Sequence, residues 1–188
     1  MIRLETVHRQ AEGNPILRLS RLARETGKIP FGQHGDHVLK TRNRAVLETL
    51  PDLLSHWMIT YTNRLRVAQY TWMRQRLGID PGSAPHPGEW VICLFNNRRK
   101  QIFNGMLGQL ISIVPSGDHW YDVEIDMGDF TYTGEILKYQ FGKPRTLREA
   151  PAEAPTLDPL RDFKDLFDFG YCLTAHKAQG SEAEKVIV

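Results

Sequence analysis

The chain has 188 residues but only two cysteines, Cys93 and Cys172, and no CxxC pair. Each cysteine stands alone inside an apolar, strand-like run. That argues against a zinc site or a disulfide framework and in favour of buried, reduced thiols. Long hydrophobic runs are also missing: none approaches the ~20 residues a membrane span needs. No charged-then-apolar leader opens the chain, so a cytoplasmic protein without a membrane partner is expected. Nor does charge of one sign dominate. The net charge is +2, with 41% hydrophobic and 24% charged residues, an ordinary globular composition. The phosphate-loop pattern G-x-x-x-x-G-K-S/T does not occur. Gly27-Lys28-Ile29 and Gly142-Lys143-Pro144 lack both the preceding loop and the hydroxyl. His34-Gly35-Asp36-His37 offers two histidines three apart with no third ligand nearby, so no metal site is expected there. No nucleophile or metal constellation suggests a self-contained hydrolase or nuclease.

What is present is sorted along the chain. From Thr60 to Gly108 the charged residues are Arg64, Arg66, Arg74, Arg76, Arg98, Arg99 and Lys100 against Asp80 and Glu89. From Ser116 to Phe169 the balance reverses, with Asp118, Asp122, Glu124, Asp126 and Asp129 close together. Such sorting can present a basic face to a polyanion, although a solvated helix followed by a solvated hairpin gives the same pattern.

The first helix is well marked, with Asn14 as cap, Pro15 at the first position and Gly27 as terminator. Ile16, Leu19, Leu22 and Ala23 repeat at helical spacing along it. The glycine-containing segment from Phe31 to Thr41 reads as a loop or a short exposed hairpin. Residues 42–50 can form a second helix, closed by Pro51. Trp57-Met58-Ile59-Thr60-Tyr61-Thr62 is a β-rich run, and Asn63 opens a helical stretch through Leu77. Leu65, Ala68, Trp72 and Met73 are expected to face the core there, while Arg64, Arg74 and Arg76 cannot all do so. Strand, tight turn and helix form the local grammar of a parallel α/β sheet.

Asp80-Pro81-Gly82-Ser83-Ala84-Pro85-His86-Pro87-Gly88 breaks that pattern. Strand-like runs follow at 90–95, 106–114, 120–125 and 130–136, separated by turns at Asn104-Gly105, Ser116-Gly117 and Met127-Gly128. A small barrel or a curled antiparallel sheet is expected. Phe95, Phe103 and Trp90 can stack on bases, yet aromatic residues at strand spacing are expected in a core. A linker, 149–155, closes this module. Phe169 to Leu173 then returns to a buried strand, and Lys185 to Val188 begins another. The class is therefore α/β, with a β module interrupting it.

The densest chemistry lies in Leu173-Thr174-Ala175-His176-Lys177-Ala178-Gln179-Gly180-Ser181-Glu182. A buried strand runs into a polar turn, which is where α/β proteins bind ligands. Thr174 and His176 can donate to phosphate oxygens, and Gly180 allows backbone amides close approach. A plain capped helix start is the alternative. This run closely resembles motif V of superfamily 1 helicases, in the form found in the RecD/Dda group, related to the exonuclease V alpha subunit. Leu4-Glu5-Thr6-Val7-His8-Arg9-Gln10 with Pro15-Ile16 resembles motif IV. Ile59-Thr60-Tyr61-Thr62-Asn63-Arg64 resembles the strand-to-helix segment along the DNA backbone. Gly88 to Ile92 with Phe103-Asn104-Gly105-Met106-Leu107-Gly108 is similar to the family's inserted barrel.

That resemblance implies a RecA-like parallel-sheet second motor domain, interrupted by a small antiparallel SH3-like β-barrel. It places the first part of the motor domain at 1–84, the insert at 85–148, and the linker with the returning motif V segment at 149–188. No phosphate loop or acidic strand end precedes Arg9, and no motif VI arginine follows. The implied protein is thus the C-terminal part of an ATP-dependent, 5′-to-3′ DNA helicase, inactive by itself. Its partners would be single-stranded DNA and the N-terminal motor domain of the parent chain, with ATP and Mg2+ used in that parent. Arg9 would supply positive charge to the transferring phosphate, beside Gln10, Gly180 and Glu182 on the nucleotide. Thr62, Asn63, Arg64, Thr174 and His176 would contact the DNA backbone, and Lys177 either DNA or an acidic residue. Arg98, Arg99 and Lys100 would form a basic rim on the insert. The alternative is a non-catalytic nucleic-acid-binding or protein-interaction module of the same fold.

Overall fold

A computed structural model describes residues 14–50, 52–158, 165–179 and 182–188. They divide into two compact units at the Leu53–Leu54 junction.

In the first unit, helix α1 (Pro15–Thr26) begins as its sequence dictates. The Asn14 side chain accepts from the Ile16 amide at 2.8 Å, and Gly27 closes the helix at φ 68°. Of the expected apolar stripe, Leu19 is buried and Ile16 is half exposed. Strands β1 (Gly32–His34) and β2 (Val38–Lys40) form an antiparallel hairpin, settling the choice between loop and hairpin. The short helix α2 (Ala45–Thr49) follows.

The second unit holds two sheets. Strand β3 (Trp57–Thr60) leads into helix α3 (Asn63–Arg76), the expected strand–turn–helix. β3 is the centre of a parallel three-stranded sheet, flanked by β9 (Cys172–Thr174) and β10 (Val186–Ile187). Between β3 and β9 the chain builds an antiparallel sheet from β4 (Trp90–Cys93), β5 (Leu107–Ser116), β6 (Trp120–Asp126) and β7 (Thr131–Leu137). A fifth strand, β8 (Phe167–Phe169), adds to the free edge of β4, giving the order β7-β6-β5-β4-β8.

Successive residues of β4 point to opposite faces. Val91 and Cys93 join one core with Ile102, Leu110, Ile125, Tyr132 and Phe167. Ile92 and Leu94 join another with Leu137, Leu166 and Leu173. A strand covered on both faces has no polar alternation, which explains the unbroken apolar run from Trp90 to Leu94. β8 and β9 are separated only by Gly170 and Tyr171, so one chain segment passes from the antiparallel sheet into the parallel one. The handover requires glycine. A β-carbon on Gly170 would lie 2.9 Å from both the Leu107 side chain and the Val91 backbone.

Candidate nucleic-acid interface

The parallel sheet brings two distant segments together. Thr60 and Thr174 are register partners on neighbouring strands, so β3 and β9 end side by side. The Thr60 hydroxyl donates across the gap to the Leu173 carbonyl at 3.4 Å. Beyond each strand a helix begins: α3 at Asn63, and the short α4 (Ala175–Ala178) directly after Thr174. Thr62 caps α3, its hydroxyl oxygen accepting the Leu65 amide at 3.2 Å. That leaves the hydroxyl proton available to a further acceptor. Thr62, Asn63, Arg64 and His176 are exposed at this edge, whereas Thr174 is buried. Glu182 is exposed in the following segment. Arg9, Gln10 and Gly180 lie outside the described residues. Cys172 is buried behind the edge as a free thiol, and burial pushes its pKa up, which suits packing and not nucleophilic chemistry.

Helix α3 is turned differently from the sequence expectation. Leu65 and Ala68 are exposed and Trp72 is half-buried. Met73 is buried as expected, but the rest of the buried face is Arg66, Tyr70 and Arg74. Two internal ion pairs overturn the apolar-stripe rule. Arg66 Nη1 lies 2.8 Å from Asp168 Oδ2, outside hydrogen-bonding geometry, and Arg66 Nη2 donates to the Lys143 carbonyl at 2.8 Å. Asp168 also accepts from the Gly142 and Phe169 amides, both at 2.8 Å. Its burial drives the carboxyl pKa up, opposed by Arg66 and those donors. Arg74 donates to both carboxylate oxygens of Glu89, at 2.8 and 3.2 Å, and stacks over Phe169 at 4.5 Å. Tyr70 stacks on Phe169 with centroids 4.9 Å apart. The helix launched from the Thr62 turn is thereby anchored to β4 and β8. Arg66, Tyr70, Met73 and Arg74 stand at i, i+4, i+7 and i+8, so a periodicity blind to charge would have found this face.

The basic turn of the β module needs two corrections. Lys100 is not a free rim cation. Its ammonium lies 2.6 Å from Asp165 Oδ2, with the Asn97 amide and the Tyr132 hydroxyl on the same carboxylate. Burial pushes the Asp165 pKa up, but the Lys100, Asn97 and Tyr132 donors outweigh it and hold it below the ordinary value. Arg98 and Arg99 remain exposed. Phe95 and Phe103, expected in the core, are 40% and 45% exposed, while Trp90 is half-buried. Ile102 and Leu94 take the interior positions instead. Phe95, Asn96, Asn97, Arg98 and Arg99 line an open cleft of about 560 Å³, with Lys100 and Asp165 at its wall.

Lys177, half-buried on α4, forms no ion pair among the described residues, so of its two expected partners the acidic residue is not found there. The β module reaches it, since a β-carbon on Gly105 would stand 3.7 Å from the Lys177 carbonyl. Burial, then the neighbouring Arg66 charge, lower its pKa to about 8. An amine is nucleophilic only when neutral. Competitive acylation followed across pH should therefore show Lys177 reacting with a midpoint near 8. A Lys177 midpoint at the ordinary lysine value of 10.5 would contradict this environment.

Neither a family model nor a curated protein matches the chain. Solved structures do. A Pif1 helicase from Bacteroides, in complex with ADP-AlF3 and single-stranded DNA, aligns over 98% of this chain at 17% identity with a TM-score of 0.50. A structure addressing unwinding of forked double-stranded DNA by two coordinating Pif1 helicases aligns over 96% at 18% identity, also with a TM-score of 0.50. The fold is similar to that of part of a Pif1 helicase. The chain spans 44% and 41% of those two helicase chains, less than half of either. With this helicase fold, the parallel β10-β3-β9 sheet belongs to a RecA-like layer. The sequence resemblance and the fold comparison agree on a helicase-like fold.

Proposed function

We propose that the chain is the second-motor-domain part of an ATP-dependent DNA helicase or translocase of the RecD/Dda kind. In this reading residues 1–84 and 149–188 make the RecA-like domain, and 85–148 are an SH3-like insert whose sheet is completed by β8. Thr62, Asn63, Arg64 and His176 hold a single DNA strand by its backbone, with Thr174 behind them at the strand end. Arg98 and Arg99 extend the track along the insert, while Lys100 supports the turn through Asp165. The observation that carries the reading is the register of Thr60 with Thr174. It sets the two exposed donor segments side by side at the carboxyl edge of a parallel sheet, where open α/β sheets bind ligands. Short polar donors at such an edge fix a phosphate backbone without reading sequence.

On the nucleotide side, Arg9, Gln10, Gly180 and Glu182 would hold ATP and its Mg2+ together with the first motor domain of the parent chain. Glu182 is the described member of that set, and its exposed carboxylate suits a ribose hydroxyl. Bound ATP would supply the phosphoryl transfer that drives movement. The residues of this chain contribute charge and orientation to it.

Binding of the 188-residue chain to fluorescent oligo-dT tests the DNA half. Binding should be sequence-insensitive and fall with salt, with a log–log slope on the order of −2 to −4 for a few neutralised phosphates. His176→Ala should weaken it by about 1 kcal/mol, the scale of one hydrogen bond, without lowering the melting temperature. Salt-independent binding, or loss of folding in His176→Ala, would refute the assignment.

A further inference from the structure

The positive charge of the first unit is concentrated where no contact has yet been assigned. Residues 28–44 contain Lys28, Lys40, Arg42 and Arg44 against Asp36 alone. The β1–β2 hairpin fixes how part of that charge is displayed. Phe31, immediately before β1, is 52% exposed. The Lys40 ammonium lies 4.6 Å from its ring centroid and the Arg42 guanidinium 4.7 Å. Two like charges share one aromatic ring and are held together despite their repulsion.

The support beneath the ring is built from local bonds. The Lys40 ammonium donates to the Ile29 carbonyl at 2.6 Å, and the His34 ring bonds the Pro30 carbonyl at 3.0 Å. These two contacts pin Ile29 and Pro30, the residues just before Phe31, to the two strands of the hairpin, and the Phe31 ring is left half exposed. Arg42 is exposed and finds no acceptor among the described residues. Next to it, Thr41 accepts the Asn43 amide at 2.9 Å, which orders the backbone carrying the guanidinium.

We propose that this hairpin is a second contact for a single-stranded polynucleotide, in which Lys40 and Arg42 bind phosphate oxygens and the exposed Phe31 ring packs on a base. An exposed apolar ring costs solvation unless something covers it. A base has a π-face for it, and the flanking phosphates complement both cations. The ring orders the guanidinium beforehand, so less side-chain freedom is lost when it engages phosphate. The inference rests on the nucleic-acid reading but uses none of the residues named in it.

The test uses the 188-residue chain with 4-thiothymidine-substituted oligo-dT and with the corresponding oligo-rU. Photocrosslinks should map to the tryptic peptide 29–40. Phe31→Leu should weaken binding about tenfold, within the range for one lost stacked base. Arg42→Gln should make the salt slope shallower by about one. Phe31→Trp keeps an aromatic face and should retain binding; if it behaves like Phe31→Leu, the ring is structural and the proposal fails. A preference for dT over rU, or none, identifies which polynucleotide the site takes. Suppose instead that His176→Ala and the Arg98→Gln/Arg99→Gln pair weaken binding while Phe31→Leu and Arg42→Gln match the parent. The hairpin proposal is then overturned and the helicase reading survives. An unsubstituted chain that binds neither oligonucleotide overturns both, and an acidic peptide that abolishes the 29–40 crosslink while His176-dependent binding persists overturns the hairpin's choice of ligand.

Discussion

Arg74→Met is expected to destabilise the second unit by about 3–5 kcal/mol, the usual consequence of removing one partner of a buried ion pair. Arg74 is fully buried and Glu89 is 2% exposed. The guanidinium also donates to the carbonyls of Pro81, Ser83 and Ala84, at 2.9, 2.9 and 2.8 Å. Its loss therefore strands a carboxylate and three backbone acceptors together. It also releases the Pro- and Gly-rich connection between α3 and β4. The Tyr171 hydroxyl, which donates to Glu89 at 2.9 Å, cannot neutralise the charge left behind. Urea unfolding monitored by tryptophan fluorescence should show a much lower midpoint. Adding Glu89→Leu should recover part of the loss, because the buried charge is then gone. A single substitution within ~1 kcal/mol of the parent would mean that the Arg74 network is not the anchor described.

Arg9→Ala is expected to lower ATP turnover about 10³-fold in a chain that includes the first motor domain, at the low end for an arginine that stabilises the transferring phosphate. This follows from the motif IV resemblance and belongs to the proposed function. A guanidinium is permanently charged and offers a planar fork to phosphate oxygens, which a methyl group cannot replace. Affinity for single-stranded DNA without nucleotide should stay within about twofold, because the arginine would face the nucleotide and not the strand. His176→Ala should show the opposite pattern, with weakened DNA binding and basal hydrolysis retained. Steady-state ATPase rates and DNA titrations on the same two variants separate these roles. Arg9→Ala with near-normal turnover would remove this residue from the catalytic set.

Much of the local architecture was legible in the order of residues. Asn14, Pro15 and Gly27 define α1 because capping and left-handed closure depend on neighbours within one turn. The runs at 57–60 and 90–93 are strands because β-branched and aromatic residues favour extended backbone, and the proline-rich segment between them prevents one continuous element. The polar turn after β9 was equally visible, as was its resemblance to motif V. Phe167–Phe169 was not foreseen as a separate strand, since three residues carry too little pattern to identify an edge partner for β4.

Tertiary structure alone decided which charges face outward. In sequence, Arg66, Arg74 and Lys100 belong to the same basic stretch as Arg64, Arg98 and Arg99. In the fold they are paired with Asp168, Glu89 and Asp165; Arg66 and Arg74 are buried by it, while Lys100 is paired at the surface and Arg64, Arg98 and Arg99 stay exposed. The same decision put Ile102 inside and left Phe95 and Phe103 at the surface. Helix starts, turns and strand runs are set by interactions between near neighbours, so the sequence by itself determined them. Pairing a charge or covering a ring depends on partners up to 65 residues away for Lys100, and farther for Arg66. Only the approach of β8 to β4 and α3 creates the low-dielectric setting in which those arginines become interior residues.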